Sequence, residues 1–178
     1  MIDPLITLVI SVSLALLFFM AARHKMSSPR HFQAQLAAYE LLPVPVLPLA
    51  SKLLPAAEMA IVFLILIPYT RAFAAFLAVL LLSAYALGMA INLLRGRNNI
   101  DCGCGGQPQA LSYWLLLRNA VLVAGASMLM VPASDRTMVW GDTLLLVLMT
   151  AVLAMIYLLV EQLVRNNSVL TNRSSSNG

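Results

Sequence analysis

The chain has 178 residues, of which 61% are hydrophobic and only 10% charged, with a mean hydropathy of +0.89. A soluble domain carries about 25% charged residues and needs polar surface to meet water, so the composition excludes a soluble globular fold, a disordered chain and a secreted disulfide scaffold. The excess of basic residues, 11 Lys and Arg against 7 Asp and Glu, reports membrane topology rather than nucleic-acid binding.

Crossing a bilayer core of about 30 Å takes about 20 apolar residues in a helix. Five stretches approach this. The first, Leu5 to Ala22, is uncharged; it follows a leader without a basic residue and precedes Arg23, His24 and Lys25, which reads as a retained anchor rather than a cleaved signal. Next comes a segment of different character. Ser28 and Pro29 start a short helix whose Phe32, Leu36 and Tyr39 fall on one stripe, with Gln33, Gln35 and Glu40 off it. This predicts an amphipathic interfacial helix between the first and second spans. Pro43, Pro45 and Pro48 are expected to end it in an extended re-entry.

The second span, Leu53 to Tyr69, holds Glu58. The third, Ala72 to Leu94, is uncharged but holds Asn92 near its end. The fourth, Leu111 to Val131, holds Arg118 and Asn119, and the fifth runs from Thr143 to Val160. The expected fold is an all-α polytopic membrane bundle of about five transmembrane helices, forming one domain over residues 1–165, with a disordered Asn- and Ser-rich tail over 166–178. With five spans, two cations, Arg71 and Arg136, fall on one face. Eight fall on the other: Arg23, Lys25, Arg30, Lys52, Arg95, Arg97, Arg165 and Arg173. That split predicts that the second face is cytoplasmic.

Both cysteines lie in Asp101-Cys102-Gly103-Cys104-Gly105-Gly106, on the face rich in cations. Residues i and i+2 lie about 6.6 Å apart in extended chain, within reach of a disulfide once the glycines bend it. Such a ring would be strained and readily exchanged, and it closes too little chain to stabilise by loop entropy. Thiol–disulfide exchange is therefore favoured over a structural staple. Inert thiols and a site of two cysteines with His24 and His31 are the alternatives. The seven-residue histidine spacing does not fit the usual zinc pattern, and both histidines read as headgroup-level side chains, so no metal is expected. Glu58 and Arg118, counted from the span starts, lie at similar depth beneath this loop. They are expected to pair, with Asn92 and Asn119 completing a support for the loop. Arg118 near either cysteine would favour its thiolate.

These residues carry a resemblance. The basic segment after span one, Tyr39-Glu40-Leu41-Leu42-Pro43, Glu58, Asn92-Leu93-Leu94-Arg95-Gly96, the Cys102-Gly103-Cys104-Gly105-Gly106 loop and Arg118-Asn119 resemble the methylamine utilisation protein MauE family, within the DoxX-like membrane group, over about residues 1–165. The resemblance implies an inner-membrane accessory protein rather than a metabolic enzyme. It would act with a thioredoxin-like MauD-type protein in maturing or exporting the small subunit of periplasmic methylamine dehydrogenase. A distant similarity to vitamin K epoxide reductase bundles implies thiol–quinone electron transfer, but those proteins use Cys-x-x-Cys and no quinone motif is present here, so no cofactor is expected. A periplasmic partner and a cytoplasmic loop conflict. Either the charge rule yields here, or the cysteines are reached within the membrane, or a cytoplasmic thioredoxin supplies electrons. The other functions left open are a non-catalytic assembly scaffold and, with less support, a carrier for a metal or small solute.

Overall fold

The computed structural model describes residues 2–97, 111–134, 136, 137 and 139–176. It is helical throughout: α1 (Pro4–Ser27), α2 (Pro29–Ala38), a single 3-10 turn (Val44–Val46), α3 (Leu47–Leu66), α4 (Arg71–Leu94), α5 (Tyr113–Met128) and α6 (Trp140–Ser176). Four of these helices are long and apolar enough to cross a membrane: α1, α3 with its preceding turn, α4, and α6 as far as Val164. The protein is thus an all-α polytopic membrane chain, as the composition requires. The expected fourth span is the exception in length. Its helix, α5, has 16 residues and measures about 24 Å, short of a hydrocarbon core of about 30 Å.

The chain divides into two units, Met1–Arg136 and Thr137–Gly178. In the first, α1, α3, α4 and α5 form the bundle. Asp3 caps α1, its Oδ1 accepting from the Leu5 amide at 2.8 Å, and Pro4 occupies the first turn, where a missing N–H costs nothing. The core joins Leu14, Ala15 and Phe18 of α1 to Ile61, Val62 and Ile65 of α3, to Ala74, Ala75, Ala78 and Leu82 of α4, and to Ala126 of α5 with Leu129 beyond it. Lipid tails are as apolar as these side chains, so close packing holds the helices together rather than escape from water. The three buried alanines of α4 supply that approach. Large apolar side chains such as Phe63, Phe73, Leu80 and Leu87 point outward, as a lipid-facing surface demands. The bundle closes on itself at one end: the Ile2 amide donates to Pro132 O at 3.2 Å, and the Ser134 amide donates to Ile2 O at 2.9 Å.

The proline-rich connection is more helical than expected. Instead of an extended re-entry, Val44–Val46 makes a 3-10 turn and α3 begins at Leu47, six residues before the expected span. Pro48 falls in the first turn. Pro55 lies inside the helix, buried, where neighbouring helices in a membrane bundle tolerate it.

At the other end of the bundle α4 stops in a Schellman motif. The Gly96 amide donates to Leu93 O and the Arg97 amide to Asn92 O, both at 3.0 Å, with Gly96 at φ 72°. Arg97 then pairs with Glu40 at 2.7 Å, and Glu40 itself ends α2 in the left-handed region at φ 50°. Gly96→Ala is expected to lower stability by about 1 kcal/mol, because only glycine takes that conformation without a Cβ penalty. Gly125→Ala should instead be neutral or stabilising. Its added Cβ would meet only Ile10 Cγ2, at an ordinary 3.9 Å. Thermal midpoints of the two variants in detergent check this pair of opposite signs.

In the second unit, α6 begins at Trp140, with the Val139 amide bonded to Asp142 Oδ2 at 2.9 Å. It runs on to Ser176. The reason is local: between Asp142 and Ser176 there is neither glycine nor proline, and a nucleated helix extends at little cost.

Candidate functional site

Three helices of the bundle carry buried stripes at alternating spacings of three and four. On α1 the stripe is Thr7, Ser11, Leu14, Phe18 and Lys25. On α3 it is Ser51, Pro55, Glu58, Val62 and Ile65. On α4 it is Ala75, Ala78, Leu82, Met89 and Asn92, with half-buried Tyr85 in the same register. Each stripe holds a polar residue where its neighbours are apolar, and the fold brings three of them together. Lys25 Nζ forms an ion pair with Glu58 Oε1, with Lys25 only 4% and Glu58 1% exposed. The Tyr85 hydroxyl donates to the same Glu58 oxygen at 2.8 Å and accepts from Lys25 Nζ at 3.2 Å. The ammonium also lies 4.6 Å from the centre of the Tyr85 ring and 5.2 Å from that of Phe32 on α2. These contacts replace the water that Lys25 and Glu58 give up.

This arrangement corrects the expected Glu58–Arg118 pair. Because α3 starts early, Glu58 lies eleven residues in, about 16 Å from the start of the helix, while Arg118 lies five residues into α5, about 8 Å. The two depths differ by more than a turn, and Lys25 fills the role given to Arg118. Lys25 was expected to be a solvated topology charge. Its position seven residues after Phe18 and fourteen after Ser11 already placed it on the buried face of α1, because the helix runs on to Ser27. Tyr85 was missed altogether. A tyrosine inside an uncharged span needs a partner for its hydroxyl, and that was the available signal.

The supporting asparagines are both buried, but they bind backbone. Asn92 Nδ2 donates to Gly88 O at 3.1 Å and to Tyr39 O at 3.2 Å, pinning the end of α2 to α4. Asn119 Nδ2 donates to Leu115 O at 3.0 Å within α5. Arg118 is half-buried on α5. The expected redox loop, Cys102, Gly103, Cys104, Gly105 and Gly106, lies outside the described residues.

Over the ion pair, α2 roofs a half-open cavity of about 250 Å³. Phe32, Leu36 and Tyr39, the predicted apolar stripe, line it from one side. Gln35, expected off the stripe, is 8% exposed and lines it too, since i+3 from Phe32 shares that face. Leu54 contributes from α3, and Ala84, Tyr85, Gly88 and Met89 from α4, while Lys25 and Gln35 supply polar groups.

The family model for methylamine utilisation protein MauE matches residues 3–132, which takes in α1 to α5, the ion-paired cluster and the cavity. A methylamine utilization protein MauE of Paracoccus denitrificans is 36% identical over 126 residues, 70% of this chain and 68% of that protein. The MauE protein of Methylophilus methylotrophus is 35% identical over 129 residues, 71% and 67% of the two chains. No solved structure gives a significant match. With the matched segment ending where the bundle closes, at Pro132, the polytopic helical chain built around Lys25, Glu58 and Tyr85 belongs to the MauE family of methylamine utilisation proteins.

Proposed function

We propose that this chain serves methylamine utilisation as an inner-membrane maturation factor, exchanging dithiol for disulfide through Cys102 and Cys104. The protein served is the small subunit of methylamine dehydrogenase, and the exchange partner is a thioredoxin-like protein of the MauD type. One observation carries the reading: in a chain of this family, both cysteines stand one residue apart in the glycine-rich segment that joins α4 to α5. The ends of that segment are well anchored. Its first residues leave α4 through the Gly96 turn and the Arg97–Glu40 pair, and Leu111, at its far end, packs with Met89, Leu93 and Leu115.

The exchange balances simply. One cysteine thiolate attacks a partner disulfide and releases a partner thiolate, giving a mixed disulfide. The second cysteine then attacks its neighbour's sulfur, which frees the partner as a dithiol and leaves Cys102–Cys104 oxidised. Two electrons pass to the partner; the reverse sequence oxidises it. The glycines between and after the cysteines, Gly103, Gly105 and Gly106, let the two sulfurs approach without a bulky side chain in the turn. Substituting only the resolving cysteine with serine should trap the mixed disulfide. A covalent, reductant-sensitive adduct between the Cys104→Ser or Cys102→Ser protein and a co-expressed thioredoxin-like partner is the expected result on a non-reducing gel. Absence of any adduct with either single variant would overturn the exchange reading. An impermeant thiol reagent applied to intact cells assigns the compartment of the loop in the same preparations.

A further inference from the structure

The cavity beneath α2 has a chemistry of its own, independent of the cysteines. We propose that it binds a neutral, lipid-soluble molecule through one hydrogen-bond-accepting oxygen, a carbonyl or a hydroxyl, held by the Lys25 ammonium. An ammonium group has three N–H bonds, and Lys25 uses one on Glu58 and one on Tyr85. The third has no oxygen or nitrogen acceptor among the described residues and meets only the faces of the Tyr85 and Phe32 rings, which are weak acceptors, although Lys25 is almost fully buried and lines the cavity. A buried donor left unsatisfied is costly, and an oxygen entering the cavity satisfies it.

The charge of the occupant follows from the pair. Glu58 already balances Lys25, so an anion would bring an uncompensated negative charge beside a buried carboxylate, and a cation would meet the ammonium. A neutral oxygen adds a hydrogen bond without changing the charge count. Apart from Gln35, the rest of the lining is apolar, with Phe32, Leu36, Leu54 and Met89 beside the tyrosine rings, so most of the body of the molecule is apolar. At about 250 Å³ the space exceeds a cavity of about 150 Å³ that admits benzene, and it falls just short of the roughly 300–1,000 Å³ of pockets for larger ligands. It suits one or two rings, or a short length of acyl chain with its ester carbonyl.

Benzophenone is a suitable probe, since it is neutral, apolar, carries one carbonyl, and crosslinks on illumination. Titrated into the full-length protein in detergent, it should label saturably, with adducts mapped to the peptides of α2 and to residues 84–89. Ala84→Phe, which fills the cavity from α4 without touching the ion pair, should abolish saturable labelling. The double variant Lys25→Met/Glu58→Leu, which replaces the pair by apolar residues of similar volume, should keep the cavity and weaken binding about tenfold through loss of the ammonium donor. Competition then separates two sources of the same chemistry: displacement by diacylglycerol identifies a bilayer lipid, and displacement by acetophenone alone identifies a small carbonyl compound. Non-saturable labelling, labelling spread over the lipid-facing surface, or equal labelling in the Ala84→Phe variant would overturn the proposal.

Discussion

Replacing Lys25 with methionine should cost about 3–5 kcal/mol of stability, the penalty for removing one partner of a buried ion pair and leaving the other charge uncompensated. Glu58 is 1% exposed and holds only Lys25 and Tyr85, and its second oxygen has no hydrogen-bond partner among the described residues. Without Lys25, the carboxylate keeps a single hydrogen bond in an apolar bundle. The double variant Lys25→Met/Glu58→Leu should recover most of the loss, because apolar residues of matched volume replace a buried pair with little net cost. Tyr85→Phe removes both hydrogen bonds of its hydroxyl, the one given to Glu58 and the one taken from Lys25, from a cluster that stays charge-balanced, and about 1–3 kcal/mol is expected. The measurement is the thermal midpoint in detergent for the parent, Lys25→Met, Glu58→Leu and the double variant, treated as a double-mutant cycle for Lys25 and Glu58, with Tyr85→Phe beside them. A Lys25→Met protein as stable as the parent would mean that the pair is not held as described.

Loss of both cysteines should act by the opposite route. A Cys102→Ala/Cys104→Ala strain is expected to lose growth on methylamine while the protein stays at its normal level in the membrane. A three-residue ring closes too short a loop to stabilise the fold, so abundance should not fall. The Lys25→Met strain should grow poorly only in proportion to its reduced abundance. Growth on methylamine and membrane abundance, measured side by side, separate chemistry from packing. Normal growth of the double cysteine variant would leave a scaffold in which the buried cluster, and not the loop, is what methylamine utilisation requires.

The membrane class and the existence of each helix were legible because apolar runs of this length have one stable form in a bilayer. The boundaries were not, and the errors in the site follow from them. Treating Pro43, Pro45 and Pro48 as breakers moved the start of α3 toward Glu58 and gave it a false depth, from which the Arg118 pairing came. Ending the first span at Ala22, where the charges begin, put Lys25 in water. Both errors weighed a residue by type and not by register. Proline is harmless in a first helical turn, and a lysine at the end of a buried stripe carries four methylenes able to reach inward. Tyr85 was legible only as a demand for a partner, which names no partner by itself. The amphipathic stripe of α2 was read correctly at Phe32, Leu36 and Tyr39, but the cavity it covers needs three other helices and could not be seen from one.

The hydrogen bonds between Ile2, Pro132 and Ser134, with the Asp3–Arg136 pair beside them, tie together residues as far as 133 apart in sequence. A contact of such separation cannot form until α5 and the segment after it have left the ribosome, long after α1 has entered the membrane. The seam between Ile2 and the 132–136 segment therefore forms only after α1, α3, α4 and α5 have all been made. Until then the amide and carbonyl of Ile2 must be satisfied by water or headgroups, which confines that end of α1 to the membrane surface and sets the depth at which the later helices find it.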